Sequence, residues 1–250
     1  MILTDTHVHL NSDPLYANVE SVIQQAIESH VQRFFVVGYD FDSSLRALEL
    51  ADRFPNVYAI IGVHPTEVEK SKPIDELVQH PKVVAIGEIG LDYYWDSVPR
   101  PVQQQEFSRQ IILAHRYNLP IVIHMRDATH DTLEVLRHHR QYLTKGIMHC
   151  YSGSVENVQD FLDLGFYISL CGPVTFVNAK TPKEVARIVP DNRLLIETDS
   201  PYLAPHPHRG KQNSPMYLPL VAASIASLRN TTIEAIAELT TQNSKELFGV

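Results

Sequence analysis

A chain of 250 residues, 44% hydrophobic and 20% charged, has the balance of a soluble globular protein and enough apolar surface for one large core. Its formal net charge of −8 excludes a broad basic face for tracking nucleic acid, because neutralising many phosphates needs clustered lysine and arginine; a small anion-binding mouth charged by metal remains open. No run is apolar for the length of a membrane span, the opening MILTDTHVHL lacks a secretion signal, and Cys150 and Cys171 read as a reduced thiol pair, so the expected compartment is the cytoplasm.

Along the chain, β-rich runs alternate with amphipathic ones. Strands are expected at residues 2–6, 33–38, 57–63, 83–88, 121–124, 146–149, 167–170 and 194–198. Helical stretches lie between them at 18–29, 43–53, 102–117, 130–139, 155–164 and 182–188. A loop rich in Pro and His, 201–215, then leads to two closing helices at 217–228 and 232–247. Strand and helix in alternation imply an α/β fold with parallel strands, and eight strands in a chain of this size favour a (β/α)₈ TIM barrel in a single domain over residues 1–250. No glycine-rich phosphate fingerprint follows the first strand, which counts against a dinucleotide-binding sheet.

The chemistry-bearing residues gather at one end of these strands. His7 and His9 follow the first strand two residues apart, so in extended backbone their side chains share a face. Glu88 closes the fourth strand, His124 the fifth, His149 the sixth and Asp199 the eighth, at the barrel end where active sites form. Four imidazoles and two carboxylates converging there suit two divalent ions with one carboxylate bridging, the donors fitting Zn²⁺, Mn²⁺ or Mg²⁺. Asp5 and Glu197, two residues before His7 and Asp199, are expected beneath them as partners of the ligand imidazoles. His64, after the third strand, reads as a substrate contact or proton donor. Arg126, Arg209 and Lys211 are candidates for neutralising an anionic substrate, with plain surface charge as the alternative.

The ordered segments DTHVHL, GVHP, GEIGLDYY, PIVIHMRDA, HCYSG, ETDSPYLAP, RGKQNSP and QNSKELFG run nearly end to end, and with them the chain resembles the TatD family of metal-dependent deoxyribonucleases. That resemblance implies His7, His9, Glu88 and Asp199 around one ion, and His124 and His149 on a second that shares Glu88. It also implies hydrolysis of DNA phosphodiesters, commonly exonucleolytic, by a metal-activated water, for which Asp199 is the candidate base. The expected partners are DNA ends or short single strands, with no membrane, and the expected unit is a monomer. Two alternatives stand beside it: an amidohydrolase-type esterase, lactonase or phosphotriesterase acting on a small molecule, and a metal-binding interaction module without catalysis. Many relatives of the first kind bridge their metals with a modified lysine at the fourth strand, where this chain carries Glu88.

Overall fold

Each apolar run becomes one strand of a parallel sheet, in a computed structural model that describes residues 1–95 and 97–250. The strands are β1 (Leu3–Val8), β2 (Val31–Val37), β3 (Val57–Ile61), β4 (Val83–Asp92), β5 (Ile121–Arg126), β6 (Gly146–Met148), β7 (Phe166–Leu170) and β8 (Leu194–Ile196). Around them lie α1 (Asp13–Tyr16), α2 (Val19–Glu28), α3 (Phe41–Arg53), α4 (Arg100–Arg116), α5 (Thr129–His138), α6 (Val158–Asp163) and α7 (Thr181–Ile188). Two further helices, α8 (Leu218–Arg229) and α9 (Ile233–Phe248), end the chain.

The eight strands pair in consecutive order, all parallel. The sheet curls until its two edges meet. There the Asp199 N–H donates to the His7 carbonyl at 3.0 Å and the His9 N–H to the Ser200 carbonyl at 2.8 Å. Below them Thr6 Oγ1 donates to the Ile196 carbonyl at 2.9 Å. The result is a nearly closed TIM barrel, and the seam sets the His7 and His9 pair beside Asp199.

Alternation along the strands divides the apolar core in two. Phe34, Val36, Ala59, Ile61, Ile121 and Ile123 pack with helix residues such as Ala47, Leu50 and Ile111. Phe35, Val37, Ile60, Val122, Ile147, Tyr167 and Leu195 form a second cluster that fills the barrel itself. Phe248, at the end of α9, closes this cluster by stacking on Phe35 with ring centroids 4.2 Å apart.

Most strand ends differ from expectation by one to four residues, β1 reaching Val8 and so including His7, and two of the shifts have a clear local reason. The fourth strand does not stop at Glu88 but continues to Asp92, with the pairing register slipping between Ile86 and Ile89. The glycines of GEIG permit this bulge and a close approach of backbones. At Gly90, φ is +135° and a Cβ would lie 2.1 Å from the His124 carbonyl oxygen. Gly90→Ala is therefore expected to cost about 3 kcal/mol of folding stability, read by urea unfolding, and an unchanged midpoint would contradict this packing. The eighth strand ends at Ile196 rather than at residue 198, because the Thr198 N–H turns to the Asp5 carboxylate at 2.9 Å.

The cysteines also depart from expectation. Cys150 and Cys171 are joined as a disulfide rather than standing as separate thiols. They follow the neighbouring strands β6 and β7, which brings their Cα atoms to 5.4 Å, a separation a disulfide spans. Among the described residues, no helix is long and apolar enough to cross a membrane.

Candidate metal centre

The upper ends of the strands bring His7, His9, Glu88, His124, His149 and Asp199 together around one carboxylate. Glu88 sits on the bulge of β4 and is only 4% exposed. Its Oε2 lies 3.4 Å from His7 Nε2 and 3.7 Å from His9 Nε2. Those two imidazole nitrogens are 3.2 Å apart and stand 3.7 and 3.4 Å from Asp199 Oδ1. The other oxygen, Oε1, lies 2.8 Å from both His124 Nδ1 and His149 Nε2. Each oxygen of one carboxylate thus addresses its own set of imidazoles.

The tautomers implied by the outer contacts suit a cation. His9 Nδ1–H donates to the Val37 carbonyl at 3.0 Å, and His149 Nδ1–H donates to Glu197 Oε1 at 3.0 Å. His124 is turned the other way, with Nε2–H donating to Asp92 Oδ2 at 2.9 Å. In each neutral ring the remaining lone pair then faces the cluster, as metal ligation requires. Among the described residues, every ion-pair partner of Glu88 and Asp199 is an imidazole. Buried carboxylates without lysine or arginine leave negative charge that a divalent cation would neutralise. The donor set fits a metal.

Without a cation, protons substitute for it. Burial opposes charge on His149, but Glu88 and Glu197 outweigh burial and raise its pKa well above 6.5. His124 is raised in the same way, by Asp92 and Glu88 against burial. Burial and the neighbouring His149 charge lower His7 instead; the two rings stack with centroids 3.9 Å apart. Burial would raise Glu88 and Asp199, yet the surrounding imidazoles hold both below the ordinary carboxylate range.

Of the two inner carboxylates, Glu197 contacts the His149 ring, whereas Asp5 contacts no ligand ring. Asp5 Oδ1 receives the Thr198 N–H at 2.9 Å and Oδ2 the Thr198 hydroxyl at 2.6 Å, because the seam sets it against backbone rather than imidazole. Burial pushes its pKa up to about 8 despite those hydrogen bonds.

Asp92 was missed by strand reading, because a strand ending at Glu88 hides it. Carrying the period of two through Gly90 to Asp92 would have found it. It is 1% exposed, and its second oxygen, Oδ1, receives the backbone N–H groups of Tyr94 and Trp95, both at 3.0 Å. Asparagine offers one oxygen where three donors converge. With that oxygen on the two backbone N–H groups, its NH₂ would face His124 Nε2 and drive the ring proton onto Nδ1, the nitrogen beside Glu88. Asp92→Asn should weaken metal affinity about 10- to 100-fold by calorimetric titration, and parental affinity would refute this role.

The centre opens into a cavity of about 850 Å³, also lined by His64, Arg126, Tyr39, Trp95 and Tyr202. His64 Nε2 lies 3.8 Å from Glu88 Oε1. Its Nδ1 lies 2.7 Å from the Thr66 hydroxyl oxygen and 3.2 Å from the Thr66 backbone nitrogen, contacts that hold the ring with Nε2 facing the centre. Burial, then the proximity of His124, lower its pKa to about 3. Arg126 reaches this cavity. Arg209 is exposed away from its lining, with its guanidinium 4.5 Å from the Phe176 ring centroid, and Lys211 is likewise exposed.

Comparison with known proteins agrees with this architecture. A family model described as TatD related DNase matches residues 4–249. The chain is 47% identical over 254 residues to a Bacillus subtilis protein named "Uncharacterized metal-dependent hydrolase YabD", covering all of both chains. It is 38% identical over 256 residues to the Escherichia coli K12 "Uncharacterized metal-dependent hydrolase YcfH", covering 100% of this chain and 97% of that one. The crystal structure of YjjV, described as a TatD homolog from E. coli K12, superposes with a TM-score of 0.94 at 30% identity, covering 99% of this chain and 98% of that one. A barrel whose strand ends carry this ring of histidines and acids, matched over its whole length by such relatives, is a metal-dependent hydrolase, and the chain belongs to the TatD-related DNase family.

Proposed function

We propose that this chain hydrolyses phosphodiester bonds of DNA, at strand ends or in short single strands, with two divalent ions shared across Glu88. The observation that carries the reading is the division of labour within that one carboxylate: Oε2 toward His7, His9 and Asp199, Oε1 toward His124 and His149. The family to which the chain belongs is described by DNase activity, which supports the choice of substrate. Ions held this way, Mg²⁺, Mn²⁺ or Zn²⁺, would supply Lewis-acid polarisation of the phosphoryl group and acidify the attacking water.

The chain's own groups divide the remaining tasks. Asp199 stays ionised beside His9, so its carboxylate can accept the proton of the attacking water. His64 is neutral at physiological pH and turns Nε2 to the centre, which places it to contact the substrate and makes it a poor source of a whole proton. Arg126 at the cavity wall matches a phosphate charge. A net charge of −8 supplies no long phosphate track, which favours a short strand or an end over a long duplex. Every donor and the cavity lie within one chain, which supports a monomer as the unit of activity.

Digestion of end-labelled single- and double-stranded DNA and of RNA, with each cation or with chelator, tests the proposal alongside panels of esters, lactones and phosphotriesters. Chelator-sensitive shortening of DNA from an end is expected. Turnover of a small ester with no cation-dependent DNA cleavage would overturn it.

A further inference from the structure

One carboxylate ties the metal centre to the rim. Asp92 holds His124 with one oxygen and, with the other, the backbone N–H groups of Tyr94 and Trp95. The backbone that carries two large aromatic rings is thereby tied to the centre, and each residue is 54% exposed. They meet edge to face with centroids 4.9 Å apart. Arg126 Cζ lies 3.8 Å from the Tyr94 centroid and 5.8 Å from that of Trp95. Trp95 and Arg126 line the same cavity as Glu88 and His124.

We propose that Trp95, with Tyr94 and Arg126, is a stacking platform for an unpaired nucleobase of the strand whose phosphodiester reaches the metal centre. An exposed π-face beside a guanidinium fits a nucleotide, because the base stacks on the ring while the adjoining phosphate meets the positive charge. The metal centre acts on a phosphodiester present in every nucleotide, so the platform supplies what the centre lacks, a contact to the base. Duplex pairing buries base faces within the stack, so the platform selects frayed or single-stranded ends. The identity of the ligand rests on the DNA reading given above; the geometry of the platform does not.

Trp95 is the only tryptophan of the chain, so its fluorescence reports on this surface alone. The metal-loaded protein is titrated with a short single strand carrying cleavage-resistant phosphorothioate linkages, and separately with the abasic counterpart. Saturable quenching by the base-bearing strand and little by the abasic one is expected. In parallel, Trp95→Ala should raise KM for a cleavable base-bearing strand about tenfold, and Trp95→Phe should restore most of that loss. Equal quenching by both strands, or quenching by neither, overturns the platform. So does a parental KM in Trp95→Ala, which would leave the nuclease reading standing. Base-dependent quenching without cleavage under any cation supports the platform and overturns the nuclease reading instead.

Discussion

Glu88→Gln is expected to lower kcat/KM for hydrolysis by about a thousandfold or more, a loss of about 4 kcal/mol in transition-state stabilisation. Glutamine keeps the volume of the side chain on its bulge. It supplies one carbonyl oxygen and one NH₂, however, where the structure uses two oxygens toward two sets of imidazoles. The NH₂ must face one set as a donor, where it cannot ligate. The substitution also removes the negative charge around which the buried histidines are arranged, and little solvent reaches the site to compensate, since Glu88 is 4% exposed. Metal analysis after dialysis should therefore show about one bound ion lost for each chain, alongside the kinetic loss. A variant that retains two ions and a rate within tenfold of the parent would show that the carboxylate is not shared.

Acid should strip the centre at pH values where ordinary histidines are still neutral. Ligation requires neutral imidazoles, but Glu88 and Glu197, outweighing burial, raise His149 well above 6.5, and Asp92 and Glu88 raise His124. Protons compete with the cation below those raised values. Affinity should then fall about tenfold per pH unit for one displaced proton and about a hundredfold where both rings are protonated.

Stability of the metal-free protein runs in the opposite sense. The raised pKa of His149 contributes stability that is fully present below about 6.5 and is lost as pH rises through the folded value. The depressed pKa of Glu88 contributes stability present above about 4.5 and lost as pH falls through its folded value. The metal-free centre is thus best paired at mildly acidic pH, where the loaded one is losing its ions. At fixed cation concentration, the Tm difference between loaded and chelator-treated protein should shrink steadily from about pH 8 to about pH 5.5. A difference that stays constant or grows on acidification would remove His124 and His149 from the ligand set.

The barrel was legible because its strands are buried on both faces and read as short, nearly continuous apolar runs between amphipathic helices. The ring of donors was legible for a related reason: in a parallel barrel all strands point one way, so a polar residue at the end of an apolar run has only one rim on which to stand. His7 and His9, Glu88, His124, His149 and Asp199 could be placed together without knowing any distance. Pairing specificity was less accessible. Asp5 and Glu197 carry the same parity signal, yet Glu197 reaches the His149 ring while Asp5 turns to Thr198, a choice made by the geometry of the seam. Asp92 lay hidden because the fourth strand was expected to end at Glu88, whereas it runs on in register from Ile89 to Asp92 beyond the slip. Arg126 and Arg209 read alike as basic residues beside ligand segments, but only the first faces the cavity.

By itself, then, the order of residues determined the strand count, the direction of the strands and which side chains stand at the rim, since burial period and strand polarity are properties of local chain. Only the tertiary structure decided which oxygen of Glu88 meets which imidazole, which carboxylate sets each ring's tautomer, and that Tyr94 and Trp95 stand out beside Arg126. Those contacts join segments far apart in the chain, and their geometry depends on barrel curvature, bulge and seam, to which no local pattern is sensitive.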